Sequence, residues 1–297
     1  MKAAIIDLGT NTFSLLIFEK KNKEIKSLFS HKIAVAIGLG GINDNLITDD
    51  AFERGIDALS QFKYMCDQHQ VEKIRGIGTS ALRGATNGTD FIDAVYNMTE
   101  IPITIVDGDT EAQLIYEGVK SAHYFEANSI ILDIGGGSSE LIYANNDHIL
   151  KAQSFEMGVS RILQLNEFND PFTQCDIALI ETYLEQHTKD FFDDIKTTVL
   201  VGASGSFETI YEMVNNTSFP KGSATKGIEF GRLLNCLDEL IHSSLEERKL
   251  NDRIIPIRKI MAPIAAVKIK WLIEKLGIET VHISSNALKE GAIEVLF

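Results

Sequence analysis

Cysteine is scarce in this chain of 297 residues, with only Cys66, Cys175 and Cys236. They are far apart and odd in number, so they build neither a disulfide framework nor a zinc-ligand spacing. The expectation is buried thiols in a reducing cytoplasm. Positive charge is scarce too: 28 Lys and Arg stand against 42 Asp and Glu, a net charge of −14. Such a surface repels polyanions at long range and argues against nucleic-acid or membrane partners. An anionic ligand must then be held locally, by backbone amides, a few cations or a metal. No apolar run is long enough to cross a bilayer. Met1–Asp7 reaches an acidic residue too soon for a signal peptide and reads as a first strand. Low-complexity tracts are absent, and the 7 histidines pair into no ligand spacing.

What is present is a globular composition, 44% hydrophobic and 24% charged, over a length sufficient for two domains. Apolar runs at Ala3–Asp7 and Thr12–Glu19 flank a turn containing Gly9, and Glu24–Ala34 supplies a third strand. Helical periodicity over Asp49–His69 places Ala51, Ile56, Leu59, Phe62 and Met65 on one side. Lys73–Gly78 and Ile103–Val106 read as strands, and Phe91–Met98 and Asp109–Tyr124 as helices.

Then the pattern restarts. Ser129–Asp133, a Gly135–Gly137 turn, Ser139–Ala144 and His148–Phe155 repeat the opening strands. Further helices and strands follow to Leu296, with a polar surface loop expected at 215–227. An offset of 126 residues carries Asp7 to Asp133, Gly9 to Gly135, Thr12 to Ser138 and Ser14 to Glu140. Two matching strand–turn–strand units imply a duplicated α/β fold, with coincidence between two hairpins as the alternative.

The turn chemistry suggests a ligand. Without a Cβ, Gly-rich turns expose successive N–H groups that form an anion-binding nest, and Ser or Thr hydroxyls add donors. An ionised Asp cannot bind phosphate, but it can hold Mg²⁺, which neutralises phosphate charge. Three successive glycines are costly in a plain turn. The expectation is therefore a phosphorylated substrate gripped between Asp7–Thr12 and Asp133–Ser138.

Six ordered segments carry a resemblance. They are Asp7-Leu8-Gly9-Thr10-Asn11-Thr12-Phe13, Gly78-Thr79-Ser80-Ala81-Leu82-Arg83, Gly108-Asp109-Thr110-Glu111-Ala112, Asp133–Glu140, Gly202-Ala203-Ser204-Gly205-Ser206 and Ser284–Gly291. Together they resemble the exopolyphosphatase / guanosine pentaphosphate phosphohydrolase (Ppx/GppA) family of the actin-like superfamily, over essentially the whole chain. The resemblance implies a two-domain, actin-like (ribonuclease H-like) α/β fold of duplicated mixed sheets flanked by helices, with the active site in the interdomain cleft. The domains would be 1–124 and 125–285, with a C-terminal helix at 286–297 joining the first. No His-Asp dipeptide occurs, so the helical metal-dependent module of long family members is not expected here.

Roles follow from the same resemblance. Glu111 would be the general base for water attack, and Arg83 would hold phosphate. Asp133 and Glu140 would bind Mg²⁺ or another divalent cation, with Asp7 acting through water. Thr10, Asn11, Thr12, Gly136, Gly137, Ser138, Gly205 and Ser206 would contact phosphate. Each has a plainer reading: Glu111 as a helix-dipole partner, Arg83 in a surface ion pair, the aspartates and turn residues capping turn amides, and Ser206 as an N-cap. The cations Arg248, Lys249, Arg253, Arg258, Lys259, Lys268 and Lys270 would line a polyanion path or form a solvated helix face. The implied activity is hydrolysis of the terminal phosphoanhydride of polyphosphate, with guanosine pentaphosphate as the alternative substrate, by a cytoplasmic homodimer. An ATP-dependent kinase of the same superfamily and a non-catalytic alarmone sensor are the competing classes.

Overall fold

A computed structural model describes residues 1–21, 24–220 and 224–297. Contacts divide the chain into two compact units, Met1–Glu111 with Leu296–Phe297, and Ala112–Val295.

In the first unit, β1 (Lys2–Leu8), β2 (Phe13–Lys21) and β3 (Glu24–Ile33) are followed by α1 (Asp49–Gln68), β4 (Lys73–Gly78), α2 (Ser80–Gly84), α3 (Gly88–Thr99) and β5 (Ile103–Ile105). The sheet order is β3-β2-β1-β4-β5. β1 is antiparallel to β2 and parallel to β4. Apolar residues on both faces of β1 and β2 make them the centre of the sheet. α1 buries Ala51, Gly55, Ala58, Leu59, Phe62 and Cys66 at helical spacing, with Ile56 and Met65 packed at the edge of the core.

α4 (Gly108–Lys120) straddles the divide. The second unit contains β6 (Ser129–Ile134), β7 (Ser139–Ala144), β8 (Ile149–Phe155), α5 (Val159–Leu165), α6 (Gln174–Thr188), β9 (Val199–Ala203), α7 (Ser204–Asn215), β10 (Lys226–Gly227), α8 (Phe230–His242), α9 (Leu245–Leu250), α10 (Ala262–Leu276), β11 (Thr280–Ile283) and α11 (Leu288–Leu296). Its sheet runs β10-β11-β9-β6-β7-β8. Apart from the edge strand β10, this repeats the first sheet strand for strand. The duplicated, ribonuclease H-like α/β arrangement of the actin-like class is therefore present. The offset of 126 holds in register as well, with Asp7 opposite Ser14 and Asp133 opposite Glu140.

By contacts the division falls inside α4, between Glu111 and Ala112. A Cβ on Gly118 would lie 1.9 Å from the Ala287 carbonyl oxygen, and one on Gly291 would lie 1.8 Å from that of Leu114. α4 and α11 thus touch backbone to backbone within the second unit, and α11 stays there through Val295. Only Leu296 and Phe297 join the first unit, where the Phe297 ring meets Phe18 edge-on at 5.2 Å.

The expected loop at 215–227 begins at the left-handed Asn216 and gives way to β10, and its residues 221–223 lie outside the described residues. Cys66 and Cys236 are buried, and burial pushes both thiols up to about 12. Cys175, expected to be buried, is exposed. α6 buries Asp176, Ile180, Leu184 and Thr188 at i, i+4 spacing, and Cys175 lies off that stripe.

Candidate active site

The second glycine turn joins β6 to β7 and is closed by the Gly135 amide on the Ser138 carbonyl at 3.1 Å. All three glycine carbonyls are engaged by the segment after β8. Val159 N donates to Gly135 O (3.1 Å), Ser160 N and Arg161 N to Gly136 O (2.8 and 3.2 Å), and Gly158 N to Gly137 O (3.0 Å). The Arg161 Nε adds a bond to Gly137 O at 3.2 Å. A Cβ on Gly158 would sit 2.2 Å from Gly136 O, so only glycine allows this approach. Gly136, Gly137 and Ser138 are buried, and among the described residues no acceptor meets their amides. Buried N–H groups are almost always paired in a native protein. Three successive amides without an acceptor are an arrangement suited to an anion.

The first turn is held in the same way. Gly38 N donates to Thr10 O (3.3 Å) and Ala36 N to Asn11 O (2.9 Å). Thr10 corresponds to Gly136 and Asn11 to Gly137 at the offset of 126. Gly38 corresponds to Ser160 and Ala36 to Gly158 at an offset of 122, because the second hairpin is shorter. The repeat thus extends from strands to the hydrogen bonds that shape each turn. Thr10 is buried, and Asn11, Thr12 and Asp7 are half-buried.

The carboxyl ends of the parallel strands in the first unit gather further residues expected for the site. Leu8 pairs with Gly78, and Gly78 with Ile105. α2 and the start of α4 therefore both leave from the edge that carries the first turn, the end where open α/β sheets hold ligands. Arg83 Nη1 donates to Glu111 Oε2 at 2.8 Å and to Val106 O at 3.0 Å. Both side chains are largely withdrawn from water, at 20% and 8% exposure. Asp107 caps α4, accepting from the Thr110 amide at 2.8 Å. Its hydrogen bonds with Thr110 hold its carboxyl below the usual range, and the Arg83 charge adds to this.

In the second unit, Asp133 and Glu140 face each other across β6 and β7, both buried. Ser154 Oγ donates to Glu140 Oε1 at 2.7 Å. Asp133 also pairs with Ala203 of β9, so the third glycine loop starts beside the second turn. Ser204 there adopts a left-handed φ of 71°. Its hydroxyl lies 3.4 Å from Ile134 O. Gly205 and Ser206 occupy the first turn of α7. Arg258 covers Gly205, donating to its carbonyl (2.8 Å) and to Thr209 Oγ1 (3.0 Å).

Among the described residues no group of three or more His, Cys, Asp or Glu is arranged to hold a metal. The Asp133–Glu140 pair fits a smaller demand. Mg²⁺ commonly takes one or two carboxylates and completes its octahedron with water and phosphate oxygens. Asp7 belongs to the other unit and lies opposite Ser14 there.

The seven cations expected to line a polyanion path or a solvated helix face have separate environments. Arg248 and Lys268 are buried. Lys249 pairs with Glu246, Lys270 with Asp238, and Arg253 reaches Asn216. Lys268 Nζ donates to Ser139 Oγ at 2.6 Å and to Met157 O. Burial brings its pKa down to about 7, against the opposing pull of Glu140 and Asp133. A lone Lys inside Ile264-Ala265-Ala266-Val267-Lys268-Ile269 is a signal that could have marked it as buried. Arg161 and Arg54 had no such signal, since each stands in an ordinary amphipathic helix.

The Ppx/GppA phosphatase family model matches residues 16–296. The guanosine-5'-triphosphate,3'-diphosphate pyrophosphatase of Aeromonas hydrophila is 28% identical over 296 residues, 98% of this chain and 58% of that protein. The Vibrio cholerae protein of the same name is 27% identical, with the same coverage of 98% and 58%. The chain therefore spans a little over half the length of these curated relatives. Among solved structures, an exopolyphosphatase from Cytophaga hutchinsonii superposes with a TM-score of 0.96 at 30% identity, covering 100% of this chain and 97% of that one. A Ppx/GppA enzyme from Aquifex aeolicus, at 21% identity and a TM-score of 0.82 with 99% and 98% covered, shares the fold.

Proposed function

The chain belongs to the Ppx/GppA phosphatase family, and from that premise we propose that it hydrolyses the terminal phosphoanhydride of inorganic polyphosphate, releasing orthophosphate. The observation that carries this reading is the set of buried amides of Gly136, Gly137 and Ser138, without a protein acceptor among the described residues and adjoining the Asp133–Glu140 pair. The 30% identity to an exopolyphosphatase over nearly the full length of both chains favours polyphosphate as substrate. Guanosine pentaphosphate is the second reading, favoured by the names of the curated relatives.

Phosphoryl transfer asks a protein for positioning and charge stabilisation more than for covalent chemistry. The nest amides hold phosphate oxygens. Arg83 fixes Glu111 by its carboxylate, and Glu111 orients the attacking water and accepts its proton. The water oxygen bonds to the terminal phosphorus as the bridging P–O bond breaks, and the shortened polyphosphate leaves with the electron pair. Asp133 and Glu140 would hold a divalent cation, which when bound neutralises phosphate charge.

The test is orthophosphate release from long-chain polyphosphate in the presence of Mg²⁺, wild type against Glu111→Gln. Loss of general-base catalysis should lower kcat by about 10²- to 10⁴-fold. Equal rates for the two proteins would remove Glu111 from the mechanism. No release by wild type from either polyphosphate or guanosine pentaphosphate would sink the proposal. ATP-dependent product formation would point to a kinase instead.

A further inference from the structure

Two cations occupy equivalent places in the two units. In the first, Arg54 of α1 donates from Nε to Val35 O at 2.8 Å and from Nη2 to Ala36 O at 3.1 Å. In the second, Lys268 of α10 donates to Met157 O and to Ser139 Oγ at 2.6 Å. The offset of 122 that relates Ala36 to Gly158 also relates Val35 to Met157. Each cation therefore holds the carbonyl just ahead of an amide that holds a glycine turn. The two cations come from helices in different places along the chain, and one is Arg while the other is Lys.

Peptide planarity makes this more than a pair of isolated contacts. The Val35 C=O and the Ala36 N–H belong to one peptide group, as do the Met157 C=O and the Gly158 N–H. In a trans peptide these two bonds lie in one rigid plane and point in opposite directions. A cation on the oxygen therefore aims the N–H at the far side, where it meets Asn11 O in one unit and Gly137 O in the other. It also polarises the peptide, strengthening the N–H as a donor. Val35 and Met157 are both 1% exposed, so without the cation their carbonyls would lack water as a substitute partner. Ala36 further adopts a left-handed φ of 50°, which a non-glycine residue keeps only when its surroundings hold it there. In the second unit the chain of bonds continues, because Ser139 Oγ donates to Ser138 O at 2.9 Å. Lys268 thus grips both the turn and the segment that pins it.

We propose that Arg54 and Lys268 are positioning residues for the two glycine turns, each clamping the peptide whose amide draws a turn carbonyl inward and so keeping the turn shaped for phosphate. This inference rests on the reading of the turns as phosphate sites.

Tripolyphosphate is the probe, titrated calorimetrically with Mg²⁺ into the full chain as wild type, Lys268→Met, Arg54→Met and Arg54→Lys. Circular dichroism verifies that each variant is folded at the titration temperature. Both Met variants should bind about tenfold more weakly, the loss of roughly one aimed hydrogen bond. Arg54→Lys, which still brings an ammonium to Val35 O, should recover part of that loss. With polyphosphate, KM should rise more than kcat falls. A general stabilising role would instead lower the melting temperature and leave affinity unchanged, and that result overturns the proposal. So does wild-type affinity in either Met variant. If Lys268→Met does not fold, the two Arg54 variants decide alone. Failure of wild type to bind tripolyphosphate sinks the phosphate reading and this inference with it, whereas tight binding by all four proteins sinks only this inference.

Discussion

Arg83 Nη1 lies 2.8 Å from Glu111 Oε2, joining the last turn of α2 to the first turn of α4. The same nitrogen reaches Val106 O at 3.0 Å, so one guanidinium sets both the carboxylate and the strand end that leads to it.

Replacing Arg83 with Met should therefore do two things. It leaves Glu111 as a buried carboxylate without its cation, which costs about 3 kcal/mol, the low end for a broken buried pair because Arg83 keeps some solvent contact. It also releases the base, and misplacement by an ångström lowers kcat by about 10²-fold. Urea unfolding and phosphate-release kinetics measure the two effects separately. Arg83→Lys should retain more stability than activity, because an ammonium lacks the fork that spans two acceptors.

The Asp133–Glu140 pair predicts a metal dependence visible without turnover. Glu140→Gln removes one charge and keeps an oxygen for the Ser154 hydroxyl. Its affinity for Mn²⁺, followed by paramagnetic resonance, should fall at least about tenfold. Chelation should abolish phosphate release by wild type, and Mg²⁺ should restore it. Unchanged Mn²⁺ affinity in the variant would remove Glu140 from the ligand set.

A methyl group at Gly291 has nowhere to go, 1.8 Å from the Leu114 carbonyl oxygen. Gly291→Ala should force α11 away from α4 and cost about 1–3 kcal/mol by overpacking. Phosphate affinity measured below the melting transition should stay near wild type, since the second turn is held by other bonds.

Stability should also depend on pH through His123. Burial, with the His282 ring nearby, brings its folded pKa down from 6.5 to about 4. The unfolded chain therefore takes up a proton near 6.5 that the folded chain refuses until about 4. Stability from this group is fully present above 6.5, is lost as pH falls through that window, and levels off below 4. His123 Nδ1 lies 2.8 Å from Thr225 Oγ1. His123→Gln keeps a polar partner there and removes the titration, so its unfolding free energy should fall less steeply between those pH values. An equally steep decline would assign the dependence to other groups.

The strand–turn–strand geometry of the candidate site was legible because it is local. A strand, an Asp and a glycine turn require only a few adjacent residues, and the second copy made the first readable. The Arg83–Glu111 pair was legible only as two separate motifs. What joins them is the pairing of β1, β4 and β5, which brings residues far apart in the chain to one sheet edge. The seven-cation cluster misled, because proximity along a helical segment says nothing about which side chains face a core. Lys268 sits in α10 among buried apolar residues, whereas Lys249 and Lys259 find carboxylate or carbonyl partners near solvent.

The sequence by itself determined the duplication, the order of strands and helices, and the turn residues, since each follows from periodicity and from backbone freedom within a few positions. Only the tertiary structure decided where the units divide and what holds each turn in shape. The divide falls inside α4, whose Gly118 packs closely on the Ala287 backbone within the second unit. The turns are held by the amides of Ala36 and Gly38 in one unit and of Gly158 and Ser160 in the other, beside which Arg54 and Lys268 reach Val35 and Met157. Both depend on distances between segments remote in sequence, where a single donor or a missing Cβ settles the geometry.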